Sequence, residues 1–372
     1  MAPRKIVISI NAAWNIVNFR LGLIRALQDA GHEVIALAPP DDYGARLEAL
    51  GIPYVPIAMD RKGLSPWKDL GLLVRYWRLL RRIRPDLFLG YTAKPNVYGS
   101  LAAQALGIKV INNVSGLGTA FIRGGLLSRL VSSLYRLAFR RSATIFFQNE
   151  EDRALFLAKK LVRPSQARLL PGSGLDLSHF RPAGKAGTDE PFTFLLVARL
   201  LRDKGVGEYV EAARRVRASF PEARFQLLGF LDVENRTAVT RAEVDSWVEE
   251  GLIDYLGQAD DVRPFIGAAD CVVLPSYREG LPRTLLEAAA MAKPLIATDV
   301  PGCRHVVEPG VTGLLCGPRD AGALAGAMVE MIRAAPERRA EWGRAGREKV
   351  EREFDERIVA SLYLQAIDDA FA

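Results

Sequence analysis

The chain has 372 residues, 49% of them apolar and 25% charged, with 32 Gly and 21 Pro. That composition excludes a disordered, collagen-like or low-complexity chain, and the length suits two domains of ordinary size. Fifty Lys and Arg against 43 Asp and Glu give a net charge of +7, which points to an anionic partner: nucleic acid, a phosphate-bearing substrate or a membrane surface.

In chain order, Met1–Lys5 lead directly into the strand run 5–10 (KIVISI), which is too short for a signal segment and lacks a cleavage site. No uncharged apolar stretch reaches the ~20 residues that span a bilayer. A soluble or peripheral protein, not a secreted one, is expected. Further strands are expected at 33–38, 87–91, 110–114 and 143–148, with amphipathic helices near 20–30, 67–83, 97–106, 126–140 and 151–160. Leu170-Pro171-Gly172-Ser173-Gly174 closes this series, and a linker is expected over 171–185, in a polar stretch without periodicity that runs on to 191. A second series follows, with strands at 192–198, 224–229, 253–257, 270–275 and 294–298 and helices near 205–219, 240–250 and 282–292. The tail from Pro336 to Ala372 reads as helical.

Nearly continuous apolar strands separated by helices mean parallel sheets covered on both faces. The expected fold class is α/β: two Rossmann-like doubly wound domains facing a central cleft, over 1–170 and 186–354. A C-terminal helix at about 355–372 is expected to pack back on the first domain. Charge divides with the domains. Residues 1–170 carry a net +14 and residues 171–372 a net −7, and no acid occurs in the 63 positions from Leu87 to Asn149. The three cysteines, Cys271, Cys303 and Cys316, are odd in number and irregularly spaced, which argues against a disulfide framework and suits a reducing cytoplasm. Cys303 is read as a small packed residue.

Two stretches carry chemistry. Glu279-Gly280-Leu281-Pro282-Arg283-Thr284-Leu285-Leu286-Glu287 follows a buried strand and opens a helix. Pro282 fits a first turn, the amides of 280–284 form an anion site, Glu279 lies before the helix, and Glu287 lies about two turns along it. The two glutamates alone would read as an ordinary N-terminal Glu and a solvated helix Glu. Arg199-Leu200-Leu201-Arg202-Asp203-Lys204-Gly205 ends strand 192–198, where a parallel sheet places its ligand crevice, and offers two cations for a diphosphate. Either cation alone would read as a solvated loop charge. Both motifs lie at strand ends of one domain, and the combination is what carries information.

Glu279…Glu287, Arg199…Lys204-Gly205, Gly174-Leu175-Asp176…Phe180-Arg181-Pro182, Asp261-Val262-Arg263-Pro264 and Pro301-Gly302-Cys303-Arg304 together resemble the retaining glycosyltransferases of family 4, which have the GT-B architecture. In the first half, Asn11…Trp14-Asn15…Asn18-Phe19-Arg20, Lys94-Pro95-Asn96…Tyr98-Gly99 and Asn113-Val114-Ser115-Gly116-Leu117-Gly118 are similar to a subgroup that extends polyprenyl-diphosphate-linked sugars in bacterial O-antigen, capsule or N-glycan assembly. The resemblance implies that Arg199 and Lys204 bind the donor diphosphate, Glu287 the ribose, and Glu279 the transferred sugar. It implies that Gly280, Leu281, Pro282 and Arg283 line the phosphates and sugar, with Gly257 and Val262 near the base. Acceptor-side candidates are Asn11, Asn15, Lys94, Asn113 and Gly116. Two positions depart from the family pattern. Asn11-Ala12-Ala13 replaces the common Gly-Gly after the first strand, and Thr92-Ala93-Lys94 stands where many relatives have a histidine.

The expected activity is transfer of an N-acetylhexosamine or hexose, with retention, from a UDP-sugar to a polyprenyl-diphosphate saccharide. No cofactor and no metal are expected, because fixed cations replace an Asp-x-Asp pair. Stretches 67–84 (WKDLGLLVRYWRLLRRIR) and 126–140 (LLSRLVSSLYRLAFR) combine apolar stripes with spaced arginines. In the second, Leu126, Leu130, Leu134 and Leu137 are placed on one stripe and Arg129, Arg136 and Arg140 on another. Such helices suit an anionic membrane surface, with a cytoplasmic location on the inner face of the cell membrane. Alternatives are a UDP-sugar epimerase of the same architecture, which needs cleft histidines that this chain hardly supplies, and a basic nucleic-acid-binding protein, for which no recognised motif is present.

Overall fold

The computed structural model describes residues 2–60, 65–116, 125–182, 190–231 and 237–372. They form two units, Met1–Gly174 with Glu356–Ala372, and Leu175–Asp355.

The first unit is built on an all-parallel seven-stranded sheet in the order β3-β2-β1-β4-β5-β6-β7. The strands are β1 (Lys5–Ser9), β2 (Glu33–Ala38), β3 (Tyr54–Pro56), β4 (Leu87–Tyr91), β5 (Lys109–Val114), β6 (Thr144–Phe147) and β7 (Ala167–Leu169). Alternation along β1 supplies both faces. Ile6 and Ile8 pack against helices Ala13–Phe19, Leu21–Asp29 and Glu356–Phe371. Val7 faces the opposite side, with Leu72, Tyr76 and Leu80 of helix Pro66–Ile83. Helix Gly125–Phe139 lies over β5 and β6, and buries Tyr135, Ala138 and Phe139. The C-terminal helix completes the first core through Val359, Tyr363, Ala366 and Ile367.

The second unit has a six-stranded parallel sheet in the order β10-β9-β8-β11-β12-β13. Its strands are β8 (Thr193–Val197), β9 (Arg224–Leu228), β10 (Asp254–Tyr255), β11 (Cys271–Leu274), β12 (Leu295–Thr298) and β13 (Gly313–Cys316). Phe194 and Leu196 of β8 face one core, with helices Val206–Arg217 and Ala321–Arg333, while Leu195 and Val197 face the other, with helix Arg283–Ala290. Cys303 is fully buried in that second core, as a packed residue.

Every expected strand forms. The elements not anticipated are the edge strands β3, β7 and β13, of three or four residues, and the short helices Gly44–Ala49, Arg263–Ala268 and Cys303–Val306. Pieces of that length display no full hydrophobic period. Helices Ala13–Phe19 and Ala321–Arg333 were also missed, the first because it abuts the next helix across Arg20, the second because its apolar face is mostly alanine and methionine.

Candidate functional site

In both sheets the winding direction reverses at one point, between β1 and β4 and between β8 and β11. Loops leaving the carboxyl ends of the two strands at such a point diverge and leave room for a ligand. In the second unit those loops are 198–205 and 275–282, the two chemistry-bearing stretches.

The loops are fastened to each other by backbone. The Tyr277 amide donates to the Asp203 carbonyl at 2.9 Å. Gly205, at φ +72°, caps the start of helix Val206–Arg217, and a Cβ there would strike the Pro275 carbonyl. Thr284 Oγ1 donates to the Val197 carbonyl at 3.1 Å, which ties the helix after the second loop to the end of β8. Gly302, at φ +83°, lies so close beneath the second loop that a Cβ would meet the Gly280 and Glu279 carbonyls.

On this frame the Lys204 ammonium and the Glu279 carboxylate form a hydrogen-bonded ion pair, with side chains 21% and 12% exposed. Arg199 is exposed at the mouth of the first loop, and makes no side-chain hydrogen bond or ion pair among the described residues. Pro282 takes the N-cap, with extended backbone, and the helix begins at Arg283. Two expectations are corrected here. Pro282 precedes the first turn instead of lying in it, because its own backbone is extended, at ψ 110°, and the helix starts only at Arg283. Glu287 therefore stands one turn into the helix, not two. Its Oε1 accepts from Arg283 Nε at 2.7 Å, a bond made possible by the i,i+4 spacing. Burial pushes the Glu287 carboxyl above its ordinary range, Arg283 opposes that shift, and the nearby Asp261 adds to it.

Asp261 belongs to the wall that the sequence placed near the base. Arg263 grips it through two 2.8 Å bonds, and Val262 caps helix Arg263–Ala268 and packs into the same core as Leu281. Gly257, at φ +75°, follows β10 and accepts from the Gly229 amide at 2.8 Å. Lys204, Glu279, Gly280, Leu281, Pro282, Val262 and Gly257 thus lie on segments that follow strands of one sheet, and Arg283 and Glu287 in the first turns of the helix that continues one of them. Sequence reasoning missed Ser276, whose buried hydroxyl has no hydrogen-bond partner among the described residues, and Tyr277, which donates to Glu208 at 2.6 Å beneath the Arg319 guanidinium. Both follow β11 directly, which is the only signal that would have found them.

The first unit arranges its candidates differently. Asn11 follows β1 and accepts from Asn15 Nδ2 at 3.3 Å. One oxygen of Asp41 accepts the amides of Ala13 at 2.9 Å and Trp14 at 3.3 Å, so the helix start after β1 already holds a carboxylate. Lys94 follows β4 and pairs at 2.8 Å with the buried Asp69, which also accepts from Tyr98 at 3.0 Å. Asn113 is fully buried at the end of β5. Its amide nitrogen donates to the Tyr363 hydroxyl at 3.0 Å and its oxygen accepts from Ser115, so its side chain serves to tie the C-terminal helix to the sheet. Gly116 is exposed beyond it at φ +142°, and Leu117 and Gly118 lie outside the described residues. Arg20 is buried with its guanidinium 4.4 Å over the Tyr91 ring.

Two family models match the chain, the Glycosyl transferase 4-like domain over residues 16–172 and Glycosyl transferases group 1 over 191–334. The N,N'-diacetylbacillosaminyl-diphospho-undecaprenol alpha-1,3-N-acetylgalactosaminyltransferase of Campylobacter jejuni is 28% identical, over 96% of this chain and 96% of its own length. The UDP-Gal:alpha-D-GlcNAc-diphosphoundecaprenol alpha-1,3-galactosyltransferase of Escherichia coli is 24% identical, over 73% and 72%. Among solved structures, sucrose-phosphate synthase from Thermosynechococcus elongatus superposes with a TM-score of 0.81 at 21% identity, covering 99% of each chain. Anabaena HepE in complex with UDP-glucose gives 0.80 at 17%, covering 98% and 99%. At those identities the structures establish the fold alone, which is of the GT-B type.

Proposed function

From a chain that belongs to the family 4 and group 1 glycosyltransferases, we propose an enzyme that moves a hexose or N-acetylhexosamine from a UDP-sugar to a polyprenyl-diphosphate-linked saccharide, in bacterial surface polysaccharide or glycan assembly. The observation that carries this reading is the Lys204–Glu279 pair, held between two backbone-fastened loops at the β8/β11 reversal. When the bond from the anomeric carbon to the diphosphate breaks, negative charge grows on the leaving oxygens. Lys204 and Arg199 supply cations for it, and a preorganised cation acts without a reorganisation cost. Glu279 keeps Lys204 in place and faces the transferred sugar, while Glu287 accepts from the ribose hydroxyls. The acceptor oxygen bonds to the anomeric carbon on the face the diphosphate leaves, its proton passes to the departing diphosphate, and configuration is retained. Fixed cations do the work of a divalent ion, so transfer proceeds without metal.

The second element of the proposal is location at the inner membrane face. No helix among the described residues is long and apolar enough to cross a membrane. Two helices of the basic unit nevertheless expose large apolar side chains beside arginines. Trp67, Leu70 and Val74 are exposed on helix Pro66–Ile83, and Leu130 and Leu137 on helix Gly125–Phe139. On the second helix the side that packs inward is Val131, Leu134, Tyr135, Ala138 and Phe139, so the expected single leucine stripe is split and Leu134 belongs to the core. Leu130 and Leu137 are therefore left outward next to Arg129, Arg136 and Arg140, while the side chain of Leu126 lies outside the described residues. That pattern supports peripheral contact with anionic lipid.

The test is a panel of UDP-sugars offered with polyprenyl-diphosphate saccharides. The expected result is transfer to the lipid with the donor's anomeric configuration, at a rate unchanged by EDTA. Interconversion of UDP-sugars without transfer would mark an epimerase instead, and loss of activity in EDTA would overturn the metal-free mechanism.

A further inference from the structure

A cavity of about 640 Å³ opens in the first unit at the carboxyl ends of β2, β3 and β4. Its wall includes Trp67, Lys68, Arg75, Lys94, Met59 and Leu72. Two of the three cations are already matched, Lys68 by Asp60 at 3.0 Å and Lys94 by Asp69 at 2.8 Å. Arg75 is exposed and has no hydrogen-bond or ion-pair partner among the described residues. The wall therefore carries a net charge of +1, and Arg75, which acts on Asp60 only through space, presents a guanidinium able to chelate two oxygens of a phosphate. Gly71, one turn earlier, leaves the helix surface bare, so that Arg75 Nη1 passes about an ordinary contact distance from where a Cβ would be, 3.5 Å.

The mouth of this cavity continues into an apolar stripe. Trp67, Leu70 and Val74 follow at i, i+3 and i+7 on helix Pro66–Ile83, exposed by 83%, 51% and 39%. Large apolar side chains exposed in a row mark an interaction surface, and a soluble nucleotide would have no use for this one. We propose that the cavity receives the diphosphate of a prenyl diphosphate, with Arg75 as its phosphate ligand and the prenyl chain laid along Trp67, Leu70 and Val74. The inference rests on the acceptor class proposed above and gives that acceptor a place. A ligand built as an anion joined to a long hydrocarbon matches both parts of the surface, and neither part alone would require it.

The experiment is a fluorescence titration of the full chain with farnesyl diphosphate, inorganic diphosphate and UDP, in which the Trp67→Phe variant identifies the Trp67 signal. Farnesyl diphosphate is expected to change Trp67 emission. Arg75→Gln is expected to weaken both farnesyl and inorganic diphosphate by about tenfold, as loss of a hydrogen-bonded charge does. Val74→Asp is expected to weaken farnesyl diphosphate only. Both variants change exposed side chains, and circular dichroism verifies that they fold. No Trp67-dependent change, an Arg75→Gln variant that binds as the wild type does, or UDP evoking the same Trp67-dependent change as farnesyl diphosphate would each overturn the proposal. Transfer assays separate the two readings. Wild-type transfer with an unaltered acceptor KM in Arg75→Gln sinks this site and leaves the activity standing. Farnesyl diphosphate binding without any sugar transfer does the reverse.

Discussion

Glu287 is a carboxylate drawn out of water one turn inside helix Arg283–Ala290, and burial outweighs Arg283 in setting its affinity for a proton. The folded protein holds that proton more tightly than the unfolded chain, whose ordinary value is 4.5. The group's contribution to stability therefore falls as pH rises above that value. Glu287→Gln removes the dependence. The stability of the wild type relative to this variant should decline as pH rises above 4.5 in urea unfolding, and a difference that grew with pH would contradict the burial argument. Lys204→Ala strips the cation from Glu279 and from the proposed diphosphate site, and Arg199→Ala removes the second charge. Each is expected to lower kcat/KM for the donor by about 10²–10³-fold, the size of one lost transition-state donor, and unchanged values in both would refute the assignment. At this scale the sequence was informative wherever a charge had to stand at a strand end. It was silent on Tyr277 and Asp41, whose partners lie far along the chain.

The loop 275–282 is an element without regular structure, yet its path is dictated by two glycines belonging to other loops. Gly205 lets the first loop reach Pro275, and Gly302 lets a third run beneath Glu279 and Gly280. Gly302→Ala forces a Cβ against two carbonyls at a left-handed φ of +83°. It should cost about 1–3 kcal/mol in denaturant unfolding and also weaken UDP binding, because the loop that moves carries Glu279. Full stability with full UDP affinity would show that the loop is not held this way. Periodicity located the helix, since Leu285, Leu286, Ala288 and Ala289 mark its buried face. Its first residue is Arg283, because Pro282 keeps an extended backbone at the N-cap.

Across the whole chain, charge is distributed by unit. Helix Glu356–Phe371 adds one cation and three acids to the first unit, whose balance is then +12, against −5 for the second. Half of that excess, +6, lies on the helices that expose Trp67, Leu70, Val74, Leu130 and Leu137. Binding to vesicles of anionic phospholipid is expected at low salt and is expected to be lost at high salt. Replacing Arg78, Arg81 and Arg82 with Gln should weaken it by about 1 kcal/mol per cation. Absence of binding at every ionic strength would remove the membrane from the proposal. The sequence by itself determined the two parallel sheets, the strand-end positions of the ligand loops and the location of the basic half. Each of these follows from a repeat or a charge count within a short window. Only the tertiary structure decided that Tyr363 ties the C-terminal helix to Asn113, that Asp41 closes the first helix start, and that Gly302 sets the path of the Glu279 loop. Those are contacts between residues 22 to 250 positions apart, and their partners are chosen by packing, which a local pattern does not encode.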